Sequence, residues 1–216
     1  MKHQQSGFTL VEIAIVLVII GLLLGGVLKG QELINSAKAK SYAQDFRVIQ
    51  AALYGFQDRY KGIPGDLAGA STKITGATLA TTGGTVGNGQ IEGAWNTTTD
   101  TDESCLAFQH LRLAGFLAGN TSGNCTGANA AAYFQTNADG GRVGISSTMQ
   151  ITGMTGSYNI CSTGVLGKIA KQLDTQLDDG NTATGSFRVS AIGTPATALA
   201  TASVDDATSY LVCLAF

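Results

Sequence analysis

From Phe8 to Leu28 the chain reads FTLVEIAIVLVIIGLLLGGVL, 21 residues in which Glu12 is the one strongly polar member. At about 1.5 Å of rise per residue this run spans roughly 30 Å, the thickness of a bilayer's hydrocarbon. A secretory signal has a shorter apolar run followed by a small-residue cleavage site. Here Lys29, Gln31 and Glu32 follow instead, so the pattern predicts a retained membrane helix. Past Lys29 the apolar positions narrow to one stripe: Tyr42, Phe46, Ile49, Leu53, Phe56 and Tyr60, three or four residues apart, with Lys40, Gln44, Asp45, Arg47 and Asp58 around it. Gly62 is expected as the first non-helical residue, with Pro64 just beyond. One helix from Phe8 to Lys61, about 80 Å long, is predicted. Its first half is apolar all round, and its second half docks one face on the rest of the chain.

Residues 62–216 read as a separate globular head with frequent turn signals. Ala68–Gly93 is rich in Thr, Gly and Ala, centred on Gly83-Gly84-Thr85-Val86-Gly87-Asn88-Gly89. A phosphate-binding loop needs a lysine and a following helix; neither is present, so this is a surface loop. Asp100-x-x-Glu103 resembles a capping box opening the helix ESCLAFQHLRLAGFLAG, with Gly119 as its stop. His110 lies on that helix's apolar face and is expected to be a satisfied core residue. VLGKIAKQLDTQLDD predicts a further helix, with Leu166, Ile169, Leu173 and Leu177 as its face and Gly180 as its stop. The runs GRVGIS, MQITGM, SFRVSAI and YLVCLAF read as short strands of an antiparallel sheet. The fold class is α+β, a long helix packed on a sheet with extra helices.

Composition narrows the function. Charged residues are 13% of the chain and the net charge is −2, against roughly 25% charged in ordinary domains. The high apolar share excludes a disordered chain, and the lack of basic excess excludes a generic nucleic-acid binder. The charge is sorted. Residues 1–61 hold 7 basic and 4 acidic groups, whereas 62–216 hold 6 and 11. Lys2 ahead of the span, with no later span, predicts the amino terminus in the cytoplasm and the head outside. Glu12 is then a carboxylate in hydrocarbon, at a cost of about 2.5–3.5 kcal/mol even on lenient scales. Its stem is too short to snorkel well, so a cation brought by another chain is the expected partner.

Gly7-Phe8-Thr9-Leu10-Val11-Glu12, followed by the apolar run, resembles the start of type IV prepilins and pseudopilins. The resemblance implies cleavage by a prepilin peptidase between Gly7 and Phe8 and N-methylation of the new terminal Phe8. It also implies that Glu12 neutralises the Phe8 amine of a neighbouring subunit during assembly. The expected organisation is a leader (1–7), a membrane and polymerisation helix (8–28), an amphipathic stem (29–61) and a pilin-like head (62–216). The expected function is that of a non-enzymatic filament subunit, a minor or pseudopilin-like component of a type IV pilus or type II secretion pseudopilus. A major pilin is the alternative, and a membrane-anchored exported binding or enzymatic domain is the rival of another class. Expected partners are other pilin subunits, the prepilin peptidase, an inner-membrane assembly platform, and lipid before assembly. The implied location is the bacterial inner membrane with a periplasmic head, then a periplasmic or cell-surface filament. Many major pilins carry a proline in the second half of the apolar segment; here Lys29 stands roughly in that place. Gly21/Gly25 and Gly26/Gly30 form G-x-x-x-G spacings that allow close helix approach.

Cys105, Cys125, Cys161 and Cys213 all lie in the head and none forms C-x-x-C. Four thiols facing an oxidising compartment imply two disulfides, with three available connectivities. Cys105–Cys125 with Cys161–Cys213 is the expected set, the second by resemblance to pilins whose last cysteine closes a carboxyl-terminal loop. No catalytic motif of the nucleophile or metalloprotease type is present, and no cofactor is expected. Asp178 and Asp179 fall in a last helical turn, where the macrodipole disfavours negative charge. Arg188 is the expected compensation. Calcium held by Asp174, Asp178, Asp179 and Asn181, or by the Asp205-Asp206 pair, is the alternative, although the spacing fits no EF-hand loop.

Overall fold

The computed structural model describes residues 9–122, 125–127, 130–193 and 196–216. They divide into two compact units, one ending at Ala37 and the other running from Lys38 to Phe216. Helix α1 is Leu10–Tyr60. The helices α2 (Ala70–Lys73), α3 (Glu103–Leu113), α4 (Ala130–Tyr133) and α5 (Gly167–Leu177) follow. The strands are β1 (Gln135–Thr136), β2 (Arg142–Ser146), β3 (Asn159–Leu166), β4 (Phe187–Ser190) and β5 (Ser209–Ala215). They form one antiparallel sheet in the order β1-β2-β3-β5-β4. The α+β class read from the sequence is the class observed.

In the second unit, the α1 stripe at helical spacing is the core face. Tyr42, Phe46, Ile49, Leu53 and Phe56 are all buried, and Tyr60 is half-buried. Ala39, Ala43 and Ala52 fill the positions between them. Tyr42, Phe46, Ile49 and Leu53 join the sheet residues Ile145, Ile160, Val189, Val212 and Leu214 and the α5 residues Ile169 and Leu173 in one apolar cluster. Phe46 meets Phe187 edge-on, ring centroids 6.1 Å apart. Tyr42 also donates its hydroxyl to Asp139, which pairs with Lys38.

The helix ends differently from expectation. Lys61, not Gly62, takes the left-handed conformation (φ 51°) and donates its N–H to the Gln57 carbonyl. Gly62 is needed for space, since a Cβ there would lie 2.6 Å from a methyl of Leu67.

Strand β3 does not follow from the hydrophobic pattern, yet it is the centre of the sheet. Its sequence, NICSTGVL, has too many polar residues for a strand pattern. Asn159 and Ser162 are buried and bonded: the Asn159 amide donates to the Ser146 and Thr148 carbonyls, and the Asn137 amide donates to Ser162. The register shifts between Ser162 and Val165, around Gly164 at φ 76°. The second face of the sheet is covered as well. Trp95, Ile151, Met154 and Ala196 pack there on Cys161, Leu211 and Cys213. This corrects the strand expected at MQITGM: Ile151 makes a single bridge to Ala196, and Gly153 (φ 82°) turns the chain.

Disulfides join Cys105 to Cys125 and Cys161 to Cys213. The second joins directly opposed residues of β3 and β5, with Cα atoms 4.1 Å apart.

Candidate functional site

Among the described residues, two groups are candidates for chemistry, one in each unit. In the first unit the side chains of the apolar run face outward. Leu10, Val11, Leu17, Leu22 and Leu28 are each at least 64% exposed, so this helix presents an apolar surface on every side. It is long and apolar enough to cross a membrane. The helix runs without a break through Gly21, Gly25, Gly26 and Gly30, none of which has a neighbour within 4 Å of an added Cβ.

Glu12 sits in the first turn of α1. Its Oε2 accepts hydrogen bonds from both the Thr9 backbone N–H and the Thr9 hydroxyl, each 2.8 Å. The Glu12 N–H donates back to the Thr9 Oγ1 at 3.3 Å. This is a reciprocal capping box, in which Thr9 and Glu12 satisfy donors the helix end leaves over. The signal is present in the sequence, Thr-x-x-Glu ahead of an apolar run, but assigning the glutamate an external partner alone misses this local role. Gly7 and Phe8, the expected cleavage position, lie outside the described residues.

Residues 2–28 match the family model described as the prokaryotic N-terminal methylation motif. The chain carries the prepilin signature of type IV pilins and pseudopilins. That signature implies processing by prepilin peptidase and assembly with other pilins. The exposed apolar helix fits membrane anchoring before assembly. No curated protein and no solved structure matches the chain.

Among the described residues of the second unit, His110, Asp66 and Glu103 are buried, and Asp174, Asp178 and Asp179 form an acidic cluster. His110 is fully buried, accepting the Gly65 N–H at Nδ1 (2.9 Å) and donating from Nε2 to the Thr78 carbonyl (2.8 Å). Burial lowers its pKa, and both nitrogens are committed, as expected for a core histidine. The helix around it departs from expectation at both ends. The residue before α3 is Asp102, while Asp100 accepts from Thr126 instead of capping. The helix stops before Gly115 (φ 81°), not at Gly119. The glycine-rich loop does bind an anion, the chain's own: Gly87, Asn88 and Gly89 donate their N–H groups to the Asp66 carboxylate.

Glu103 is buried beside Asp66 and Glu92. Its Oε2 accepts the Glu92 N–H, and its Oε1 has no partner among the described residues. Burial, with the negative charges of Asp66 and Glu92, pushes its carboxyl up to about 7. A raised carboxyl pKa means that the folded state holds the proton more tightly than the unfolded state. The stability it contributes is complete below the ordinary pKa of 4.5 and is lost as pH rises through about 7. Glu103→Gln should therefore unfold at a higher temperature than wild type at pH 8 and lose that advantage by pH 4. The difference is on the order of 3 kcal/mol at most. Thermal melts of both proteins in detergent at the two pH values measure it.

At the end of α5 the carboxylates of Asp174, Asp178 and Asp179 come together, with one ligand atom from each within 4.8 Å of the others. Burial first, then Asp179 and Asp178, pushes the Asp174 carboxyl up to about 7. The expected arginine compensation is absent: Arg188 donates to the Gly185 and Thr152 carbonyls. Asn181 accepts the Ala183 N–H. Asp206 pairs with Lys171, and Asp205 accepts from Ala207 and Thr208, so that pair serves its own turn.

Proposed function

We propose that the chain is a structural, non-enzymatic subunit of a type IV pilus-like filament, and within that class a minor or pseudopilin-like component. The observation that carries this reading is the coincidence of the methylation motif at residues 2–28 with a helix exposed on every apolar side and bearing a carboxylate in its first turn. An apolar surface of this kind is covered by lipid before assembly and by neighbouring helices afterwards. Cleavage between Gly7 and Phe8 leaves a methylated ammonium at Phe8. Glu12 of one subunit then pairs with that ammonium of the next, which sets the register of the helical bundle. The glycine pairs Gly21/Gly25 and Gly26/Gly30 let the packed backbones approach closely. The leader is 1–7, the polymerisation helix 8–28, the stem 29–61 and the exported head 62–216, with the amino terminus cytoplasmic before assembly. Two disulfides and a surface of low charge suit a head outside the cytoplasm. The lean toward a minor component rests on the lack of proline in the apolar segment and on the size of the head.

The experiment is the mass of the amino-terminal peptide when the chain is produced with and without a prepilin peptidase. With the peptidase the peptide begins at N-methylated Phe8. A chain that keeps Met1, or is cut elsewhere, overturns the reading.

A further inference from the structure

We propose that Glu103 is a proton-operated latch for the glycine-rich loop 83–93, holding it closed when protonated and releasing it when the proton leaves. The proposal concerns the head alone and does not rest on the filament reading. The backbone N–H groups of this loop are tied to carboxylates. Asp66 accepts those of Gly87, Asn88 and Gly89. Glu92 Oε2 accepts the Thr85 N–H at 2.8 Å and the Asn88 side-chain amide at 2.7 Å. The Glu92 N–H in turn donates to Glu103 Oε2 at 2.8 Å. Three acids from three segments, the turn after α1, the loop itself and α3, thus meet beneath the loop.

Glu103 is 0% exposed, and its Oε1 has no partner among the described residues. Asp66 is buried and Glu92 half-buried. An ionised Glu103 therefore adds a third negative charge to an interior where two already hold the loop, and a buried charge without a partner is costly. None of the ion pairs among the described residues includes Glu103, Asp66 or Glu92. Lys61 and Lys73 line the cavity that Asp66 borders, and Lys61 is paired with Asp58 at the surface. The other titratable groups nearby are engaged elsewhere. Asp102 accepts the Thr82 and Thr97 hydroxyls, His110 has both nitrogens committed, and Tyr158 donates to the Gly89 carbonyl. A proton removes the conflict. Protonated Glu103 is a donor, and the Asp66 carboxylate beside it is an acceptor within hydrogen-bond reach.

When the proton leaves, the loop is the segment free to yield. Residues 87–90 are exposed, whereas α3 is buried through Leu106, Ala107 and Leu111. The loop is also one wall of a cavity of about 360 Å³ beside the end of α1, lined by Ile63, Leu67 and Tyr158 as well, so its release opens that cavity. The closed form holds the Glu103 proton up to about 7, and the released side chain returns to its ordinary 4.5. Opening then becomes easier as pH rises through that window and levels off above about pH 8.

Hydrogen exchange of the full chain in detergent, read by mass spectrometry of peptides spanning 83–92, tests the latch. After correction for intrinsic exchange, these amides should exchange about tenfold faster at pH 8 than at pH 6, while β3 and β5 stay protected at both. Glu103→Gln keeps the shape and the acceptor for the Glu92 N–H without a charge, so its loop should exchange slowly at both pH values. Asp174→Asn, which removes the other carboxyl raised to about 7, should respond as wild type does. Should Glu103→Gln fail to fold, the wild-type profile decides, because one proton requires a rise that levels off above about pH 8. The latch is overturned by a wild-type loop with no corrected change, by an equal rise in Glu103→Gln, or by loss of the rise in Asp174→Asn. A rise that continues to pH 9, or exchange of the loop together with β3 and β5, overturns it as well.

Discussion

Glu12→Ala is expected to leave cleavage after Gly7 intact and to reduce incorporation into filaments at least a hundredfold, the processed chain accumulating in the membrane. Two energies are lost. The smaller is the capping box with Thr9, worth about 1 kcal/mol in typical helices. On the proposed filament reading the larger arises between subunits, where the ammonium of a neighbouring Phe8 would be left in hydrocarbon without its counter-charge. Breaking one side of a buried ion pair costs about 3–5 kcal/mol, and about 2.8 kcal/mol is already a factor of a hundred. Thr9→Ala separates the two terms. It removes the side-chain part of the cap and keeps the carboxylate, so incorporation should fall only a few-fold. Quantifying each variant in sheared-filament and membrane fractions gives both numbers.

Replacing Cys161 and Cys213 together by alanine should cost the head more stability than the loss of its other disulfide. Both residues are fully buried, and their bond joins the central strand β3 to its neighbour β5 across a sequence separation of 52. The chain-entropy relation gives about 4 kcal/mol for a loop of that size, or a fall of roughly 10 °C in melting temperature. The corresponding change at Cys105 and Cys125, separated by 20, should cost about 3 kcal/mol by the same relation. Thermal melts of the two double variants in detergent test the ranking. Equal or reversed effects would mean that strain or residual structure, not loop closure, dominates.

The sequence is most legible where one periodicity runs long. The stripe from Tyr42 to Phe56 spans four turns, and every member of it is core. The α5 face is legible in part: Ile169 and Leu173 are buried and Leu177 is half-buried, but Leu166 ends β3 instead of joining the helix. Strand β3 is opaque because the loops that cover its second face let it be buried on both sides. Asn159 and Ser162 there are satisfied by distant partners, Ser146, Thr148 and Asn137. A half-buried strand alternates, whereas a strand covered on both faces need not. MQITGM fails in the opposite sense, since its apolar residues cover a sheet without joining it. The helix ends expected at Gly62 and Gly119 are misplaced by a few residues, because glycine marks both left-handed turns and places where another group comes close. Gly62 is of the second kind, packed on Leu67, and Gly119 is of both, with φ 144° and the Arg112 guanidinium against it.

At the amino terminus the methylation motif at residues 2–28 is legible, because glycine, phenylalanine, glutamate and apolar length coincide in a short span. The acidic cluster at α5 is legible only in part. Residue types and spacing name Asp174, Asp178 and Asp179, but the burial of Asp174 and the diversion of Arg188 to carbonyl oxygens are tertiary facts.

Whether this chain is built to be a filament subunit can be read from immunogold labelling of sheared surface filaments with an antibody to residues 62–216. Filaments from wild-type cells should carry label, sparse along their length for a minor component, and filaments from cells carrying Glu12→Ala should carry none. Unlabelled wild-type filaments with the processed chain confined to the membrane, or equal labelling in the two strains, would contradict a filament role.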